Sequence, residues 1–180
     1  MDQSNDMAVP ARSERPRRLA VYAGVFDPPT MAHLEIVESA LRIFDELVVV
    51  IGFNPSKSSA LFSPEERVEL VRRATRHLPN VEVCQFNGLA VHFVRQCGAR
   101  VMLRGVRSLT DIEAEFTMTL ANRKLDPSVE TVYLMADDQF SHVSSSLLKQ
   151  ITPLATDDEL ARFVPREIIP ELRRLCPPLQ

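Results

Sequence analysis

Short apolar runs alternate with stretches of helical spacing along most of the chain. Leu19-Ala-Val-Tyr22 is the first run; Gly24 and the Pro28-Pro29 pair end it, and it is too short for a helix, which predicts a strand. From His33 onward Leu34, Val37, Leu41 and Phe44 recur with Glu35, Glu38 and Arg42 between them, the signature of a helix with one buried face. Leu47-Val-Val-Val-Ile51 shows no alternation of polarity and predicts a central strand buried on both sides. After a polar loop over 54–60, Ser63-Pro64-Glu65-Glu66 reads as an N-cap, a first-turn proline and a capping-box glutamate, with Val68, Leu70 and Val71 as the apolar stripe. Residues 81–86 repeat the strand pattern, 89–97 form a helix ended by Gly98, and 101–103 form a fourth strand. Asp111 is placed to cap a helix running to about Lys124. A fifth strand over 131–135 then leads by a loop to a helix over 144–151. In the tail, Pro165, Ile168, Leu172 and Leu175 predict a last helix, with a kink or a late start at Pro170.

Strands separated by helices imply right-handed crossovers and a sheet covered on both faces. The expected fold is therefore doubly wound α/β, with a mostly parallel five-stranded sheet and a C-terminal helix. A chain of 180 residues supports one hydrophobic core, so residues 19–180 are read as a single domain. Residues 1–18 mix Asp, Ser, Pro and Arg without periodicity and are read as a disordered leader. In such folds ligands bind outside the carboxyl ends of the strands, so the polar residues that follow strands are the ones to inspect.

Composition narrows the classes. With 45% hydrophobic and 25% charged residues the chain is ordinary globular protein rather than a disordered or fibrous one. A net charge of -3 offers nucleic acid no general attraction, so basic groups must act locally. No apolar run approaches the length that spans a bilayer, and the N-terminal stretch lacks the apolar segment of a secretory signal. Cys84, Cys97 and Cys176 form no CxxC pair and have no metal-ligand spacing; Cys84 and Cys97 are read as core-filling residues of a reduced, cytoplasmic chain.

The chemistry gathers after the strands. Gly24-Val-Phe-Asp-Pro-Pro-Thr-Met-Ala-His33 puts a histidine in the first turn of a helix, where free backbone N–H groups and the dipole favour an anion. The second strand delivers Asn54-Pro-Ser-Lys57, the fourth Arg104-Gly-Val-Arg107, and the fifth Asp137 to His142 followed by Ser144-Ser-Ser146 and Lys149. Each basic residue alone is most simply a solvated surface group. Placed jointly at consecutive strand ends, they point to a polyphosphate site. Neither GxxxxGK[ST] nor GxGxxG is present, so the site is neither a P-loop nor a dinucleotide fingerprint.

These same residues carry a resemblance. Gly24-x-Phe26-Asp27-Pro28, Thr30-x-x-His33, Asn54-Pro-Ser-Lys57, Phe62-Ser-x-Glu-Glu-Arg-Val68, Arg104-Gly-x-Arg107, Asp111-x-Glu-x-Glu115, Asn122-Arg123 and Ser144-Ser-Ser-Leu-x-Lys149 are similar to the bacterial-type phosphopantetheine adenylyltransferases. That family lies within the nucleotidyltransferase superfamily marked by an HxGH or TxGH loop. The resemblance implies a Rossmann-like nucleotidyltransferase fold and transfer of AMP from ATP to 4'-phosphopantetheine, giving dephospho-CoA and pyrophosphate. It also implies Mg2+ bound with the ATP, CoA as an inhibitor, and a homohexamer. His33, Lys57 and Arg104 would be catalytic. ATP would be held by Val25, Phe26, His33, Gly105, Val106, Arg107, Glu115, Phe140, Ser141, His142, Val143, Ser144, Ser145 and Ser146. The acceptor would meet Val25, Lys57, Leu89, Ala90, Arg104 and Asn122, and no protein-ligated metal site is implied.

The departures cluster toward the acceptor. Val25 stands where the family usually has a hydroxyl, Ala32 replaces the loop glycine, Ala90 and Ala114 replace larger residues, and Gln150 replaces a common Glu. Two other readings therefore stand beside the main one. One is a sister nucleotidyltransferase using another phosphorylated acceptor, such as nicotinate mononucleotide. The other is a weakened homologue that binds nucleotide or CoA as a regulator.

Overall fold

The computed structural model describes residues 16–52 and 60–178. Five strands, β1 (Leu19–Gly24), β2 (Glu46–Gly52), β3 (Val81–Phe86), β4 (Val101–Val106) and β5 (Glu130–Met135), form one sheet in the order β3-β2-β1-β4-β5. All neighbours are parallel. The order reverses between β1 and β4, so a crevice opens at their carboxyl ends, beside Gly24 and Val106. The helices are α1 (Met31–Leu41), α2 (Pro64–Thr75), α3 (Ala90–Gln96), α4 (Leu109–Leu125), α5 (Ser145–Ile151), α6 (Asp157–Leu160) and α7 (Ile169–Leu175).

Successive side chains of a strand face opposite sides, and here both sides are filled. Ala20, Tyr22, Leu47, Val49 and Ile51 pack with Ile36, Val37, Ala40, Val68 and Val71 on one face. Val21, Ala23, Val48 and Val50 pack with Val91 and Val94 on the other. A third cluster, centred on Phe62, Leu70, Leu148, Leu160, Val164, Ile168 and Leu172, joins the C-terminal segment to α2 and α5. Each such fully buried side chain contributes about 1.5–3 kcal/mol. Cys84 and Cys97 pack against the second cluster, although both are half-buried rather than sealed in it.

The α2 capping box is formed as its spacing predicts: the Ser63 hydroxyl accepts from Glu66 N–H and Glu66 accepts from Ser63 N–H. Gly98, at φ 71, takes the left-handed turn that ends α3. Three expectations shift, and a fourth, the late start at Pro170, is met. Arg18, read as leader, accepts from Asp45 N–H through its carbonyl and pairs with the Asp45 carboxylate, so the folded body begins before Leu19. β4 continues past Leu103 through Arg104 to Val106, because pairing with β5 carries polar residues along. Ser108, not Asp111, caps α4, and Asp111 turns back to Arg107 instead. At the tail, a 3-10 turn over Arg166–Ile168 precedes α7, and Pro170 sits in the first turn of α7, the late start. The short α6 and a 3-10 turn at Asp138–Phe140 lie below the length that periodicity can detect.

Candidate active site

The turn leaving β1 bends sharply. Phe26 sits at φ 51 and its ring meets Tyr22 and His33 edge-on at centroid separations of 5.3 and 4.9 Å. Thr30 caps α1: its hydroxyl accepts from His33 N–H at 3.3 Å, while Thr30 N–H donates to His33 Nδ1 at 3.0 Å. A backbone N–H can only donate, so Nδ1 is an acceptor and the neutral ring carries its proton on Nε2. The helix start is less open than its sequence implies. Met31 N–H donates to Phe163 carbonyl at 2.8 Å and His33 N–H is capped, so two first-turn donors already have protein partners.

Asp27, buried, ties three segments together. Its carboxylate accepts from Leu61 N–H and Phe62 N–H, each at 2.9 Å, and from Lys149 of α5. Burial alone would raise the Asp27 carboxyl, but Lys149 and the two backbone donors hold it below the ordinary carboxylate range.

At the end of β4, Arg104 and Glu115 form a two-pronged pair, with Nε to Oε2 at 2.7 Å, and Arg104 Nη1 donates to Ala23 carbonyl at 2.6 Å. Burial opposes the Arg104 charge most strongly of any single influence, but the Glu115 hydrogen bond and the Glu115 charge together outweigh it, so the guanidinium stays firmly protonated. Arg107 pairs with Asp111 at 3.1 Å and donates to Val143 carbonyl at 2.8 Å, which ties β4 to the loop before α5. Between the arginines lies Gly105. A Cβ there would meet Ile36 Cγ1 and Tyr22 Oη at 3.0 Å, so any larger residue would push these side chains back. Burial pushes the Tyr22 hydroxyl well above its ordinary range and keeps it neutral. Buried Val106 follows.

The segment from Phe140 to Ser146 lies across from these groups. Phe140 closes the 3-10 turn, the Ser141 hydroxyl donates to Asp138 carbonyl, and His142 meets Phe163 edge-on. Val143 is buried, Ser144 caps α5, and the Ser145 hydroxyl donates to Pro28 carbonyl at 2.8 Å. Three of these hydroxyls are thus engaged in holding the loop's shape. Ser146 forms no side-chain hydrogen bond within the described residues.

On the acceptor side the description is thinner. Lys57 lies outside the described residues. Leu89 is the exposed N-cap of α3, Ala90 opens that helix, and the Asn122 amide reaches Met102 Sδ at 4.0 Å, placing α4 over the same sheet face as α3. The half-buried Val25 directs its carbonyl at Arg67 of α2. Sequence reasoning brought His33, Arg104, Arg107, Gly105 and the 140–146 segment to one end of the sheet, and the structure does the same. It gave no role to Asp27 or Arg67, whose partners lie far along the chain where no local pattern reports them.

A family model described as cytidylyltransferase-like matches residues 21–151. The chain is 63% identical over 156 residues to a phosphopantetheine adenylyltransferase of Rhodopirellula baltica, covering 86% of this chain and 87% of that one. A Clostridium botulinum phosphopantetheine adenylyltransferase is 44% identical, over 87% of this chain and 97% of its own length. The chain belongs to the phosphopantetheine adenylyltransferase family. Among solved structures, a proposed nicotinate-nucleotide adenylyltransferase from Vibrio parahaemolyticus superimposes with a TM-score of 0.62 at 14% identity, covering 88% of this chain and 93% of its own. A lipopolysaccharide core biosynthesis protein from Thermoplasma volcanium gives 0.51 at 20% identity, over 68% of this chain and all of its own. These two likenesses speak for the fold alone. As a phosphopantetheine adenylyltransferase relative, the chain is a nucleotidyltransferase on a parallel, Rossmann-like sheet.

Proposed function

We propose that this protein transfers AMP from ATP to 4'-phosphopantetheine, releasing pyrophosphate and forming dephospho-CoA. The observation that carries the reading is the gathering of His33, Arg104, Gly105 and Arg107 at the sheet's reversal point, in a chain 63% identical to a named phosphopantetheine adenylyltransferase. In the reaction an oxygen of the acceptor phosphate bonds to the α-phosphorus of ATP as the bond from that phosphorus to the pyrophosphate oxygen breaks. The attacking phosphate is already ionised, so the protein's task is positioning and charge stabilisation rather than proton removal. His33, its tautomer set by Thr30, would offer Nε2–H to the oxygens on which charge builds. Arg107, the Gly105–Val106 backbone and the loop ending at Ser146 would hold the nucleotide. Arg104, shared with Glu115, and Lys57 would face the acceptor phosphate.

The described residues contain no group of three or more His, Cys, Asp or Glu fit to hold a metal ion. The site's donor set of cations and N–H groups suits phosphate oxygens, and Mg2+ would be carried on the ATP phosphates, where it would neutralise charge. CoA, which contains the product, would compete as an inhibitor. No helix among the described residues is long and apolar enough to cross a membrane, and the reading places the enzyme in the cytoplasm.

A homohexamer is part of the same proposal. What supports a partner copy is α4: none of its residues is buried, and Leu109 and Phe116 are 80% and 58% exposed. Large apolar patches of this kind mark interaction surfaces.

The test is pyrophosphate release with ATP and each of several phosphorylated acceptors. Phosphopantetheine should support turnover far above nicotinate mononucleotide; release with another acceptor and not with phosphopantetheine would overturn the reading, and release with none would favour a binding role.

A further inference from the structure

Arg67 is a buried cation to which the chemistry above gives no task. It stands in α2, is 4% exposed, and donates from Nη1 to Val25 carbonyl at 3.2 Å and from Nε to Ser63 carbonyl at 3.3 Å. No carboxylate lies within ion-pair distance of it among the described residues, and Glu65 acts on it only through its charge at longer range. A buried cation without a close counter-ion is costly, and an apolar residue would fill the same stripe of α2 more cheaply. Packing therefore does not account for a guanidinium here.

The peptide that Arg67 grips offers a reason. The bond between Val25 and Phe26 is trans, so its C=O and N–H point in opposite directions. With the carbonyl drawn toward α2, the Phe26 N–H is turned to the other side of the turn, away from α2. Phe26 is 3% exposed, yet its N–H has no acceptor among the described residues. Buried backbone donors are almost always paired, so this one is aimed at something the protein does not itself supply. The left-handed φ of 51 is unfavourable for a phenylalanine and persists only where the surroundings enforce it. A guanidinium on the carbonyl also polarises the peptide and strengthens its N–H as a donor.

We propose that Arg67 is a positioning residue that fixes and polarises the Val25–Phe26 peptide so that the Phe26 N–H donates to the phosphoryl group being transferred. This rests on the adenylyl-transfer reading. The donor meets one non-bridging oxygen of the α-phosphate, and Arg67 acts through it without touching substrate.

The test compares the wild-type enzyme with Arg67→Met and Arg67→Lys, using whichever acceptor the wild type turns over, so that failure of the acceptor assignment is seen first and separately. Steady-state kinetics are combined with the two diastereomers of ATP carrying sulfur on the α-phosphorus. Sulfur accepts hydrogen bonds poorly, so the wild type should discriminate between the diastereomers. In Arg67→Met turnover should fall about tenfold or more with ATP affinity nearly unchanged, because misaim of a donor is felt in the transition state. Its diastereomer ratio should move toward one, and Arg67→Lys, which keeps the charge but can grip only one carbonyl well, should restore part of both. Thermal unfolding of each variant checks that it folds; if Arg67→Met does not, the ratio in Arg67→Lys alone decides. A loss of turnover at an unchanged diastereomer ratio, or no loss in a folded Arg67→Met, overturns the proposal.

Discussion

One ring nitrogen of His33 is committed to the cap of its own helix, and that commitment shapes what the side chain can do. With Nδ1 accepting from Thr30 N–H, the ring is held in one tautomer and one orientation, with Nε2–H as its outward donor. An interaction that strengthens as charge builds affects the chemical step selectively. His33→Ala should therefore lower turnover by about 10² to 10³ while ATP affinity changes little, read by comparing kcat with a direct ATP titration. An unaltered kcat would contradict the role. Asp27 gives a stability prediction with a defined sign. Its folded-state carboxyl is held below the ordinary value, so the unfolded chain takes up the proton first as pH falls. The stabilisation is full above about pH 4, the usual carboxylate range, and is lost as pH drops through the folded value. Asp27→Asn should cost about 1.5–3 kcal/mol at pH 7, and the gap to wild type in thermal unfolding should narrow below pH 4.

At the scale of elements, the two long helices on either side of the sheet's reversal are built on opposite principles. α2 carries a complete capping box and an apolar stripe, so its start, its face and its neighbours could be read directly from Ser63 to Val71. α4 gives a weaker signal, and Asp111 reads as its cap where Ser108 is, because two carboxylates in its first turns serve Arg104 of β4 and Arg107 just beyond it rather than the helix itself. It is held to the sheet largely by polar contacts: Glu115 and Asp111 to the arginines, Tyr133 Oη donating to Glu115 carbonyl at 3.2 Å, and Arg123 to Glu130 at 2.9 Å. Leu109, Phe116 and Leu120 recur at seven and four residues, one face at about 100° per residue, and all three are exposed. On the proposed homohexamer built through this face, Phe116→Glu with Leu120→Glu should shift the sedimentation of the protein to that of a single chain, with far-ultraviolet dichroism unchanged. Unaltered sedimentation would remove this face from the assembly interface.

For the whole molecule, the order of elements and the parallel sheet were legible because β1 and β2 are plain apolar runs and α1 and α2 show a clear helical period. The positions of His33 and Arg107 followed from that order, since they come after the carboxyl ends of β1 and β4 on either side of the crevice, whereas Arg104 lies within β4 near its carboxyl end. What stayed hidden were links that cross the chain: Asp27 to Lys149, 122 residues apart, and Arg67 to Val25, 42 apart. Such pairs leave no periodic trace. They exist only once the sheet has set the distance between the loops.

The carbonyl of Phe163, which receives the Met31 N–H, belongs to a stretch beyond the family-matched residues 21–151. That tail reads as an appendage along the sequence, yet it closes the cap of the helix bearing His33 and seals Phe62 and Leu148 into one cluster with Leu160 and Leu172. A chain shortened to the shared core would thus lose more than mass from its end. It would leave the Met31 N–H of the helix that presents His33 without its acceptor and expose Phe62, Leu70 and Leu148 to water. In comparing or engineering relatives, the C-terminal segment belongs with the catalytic turn as one inheritable unit, to be exchanged whole or left in place.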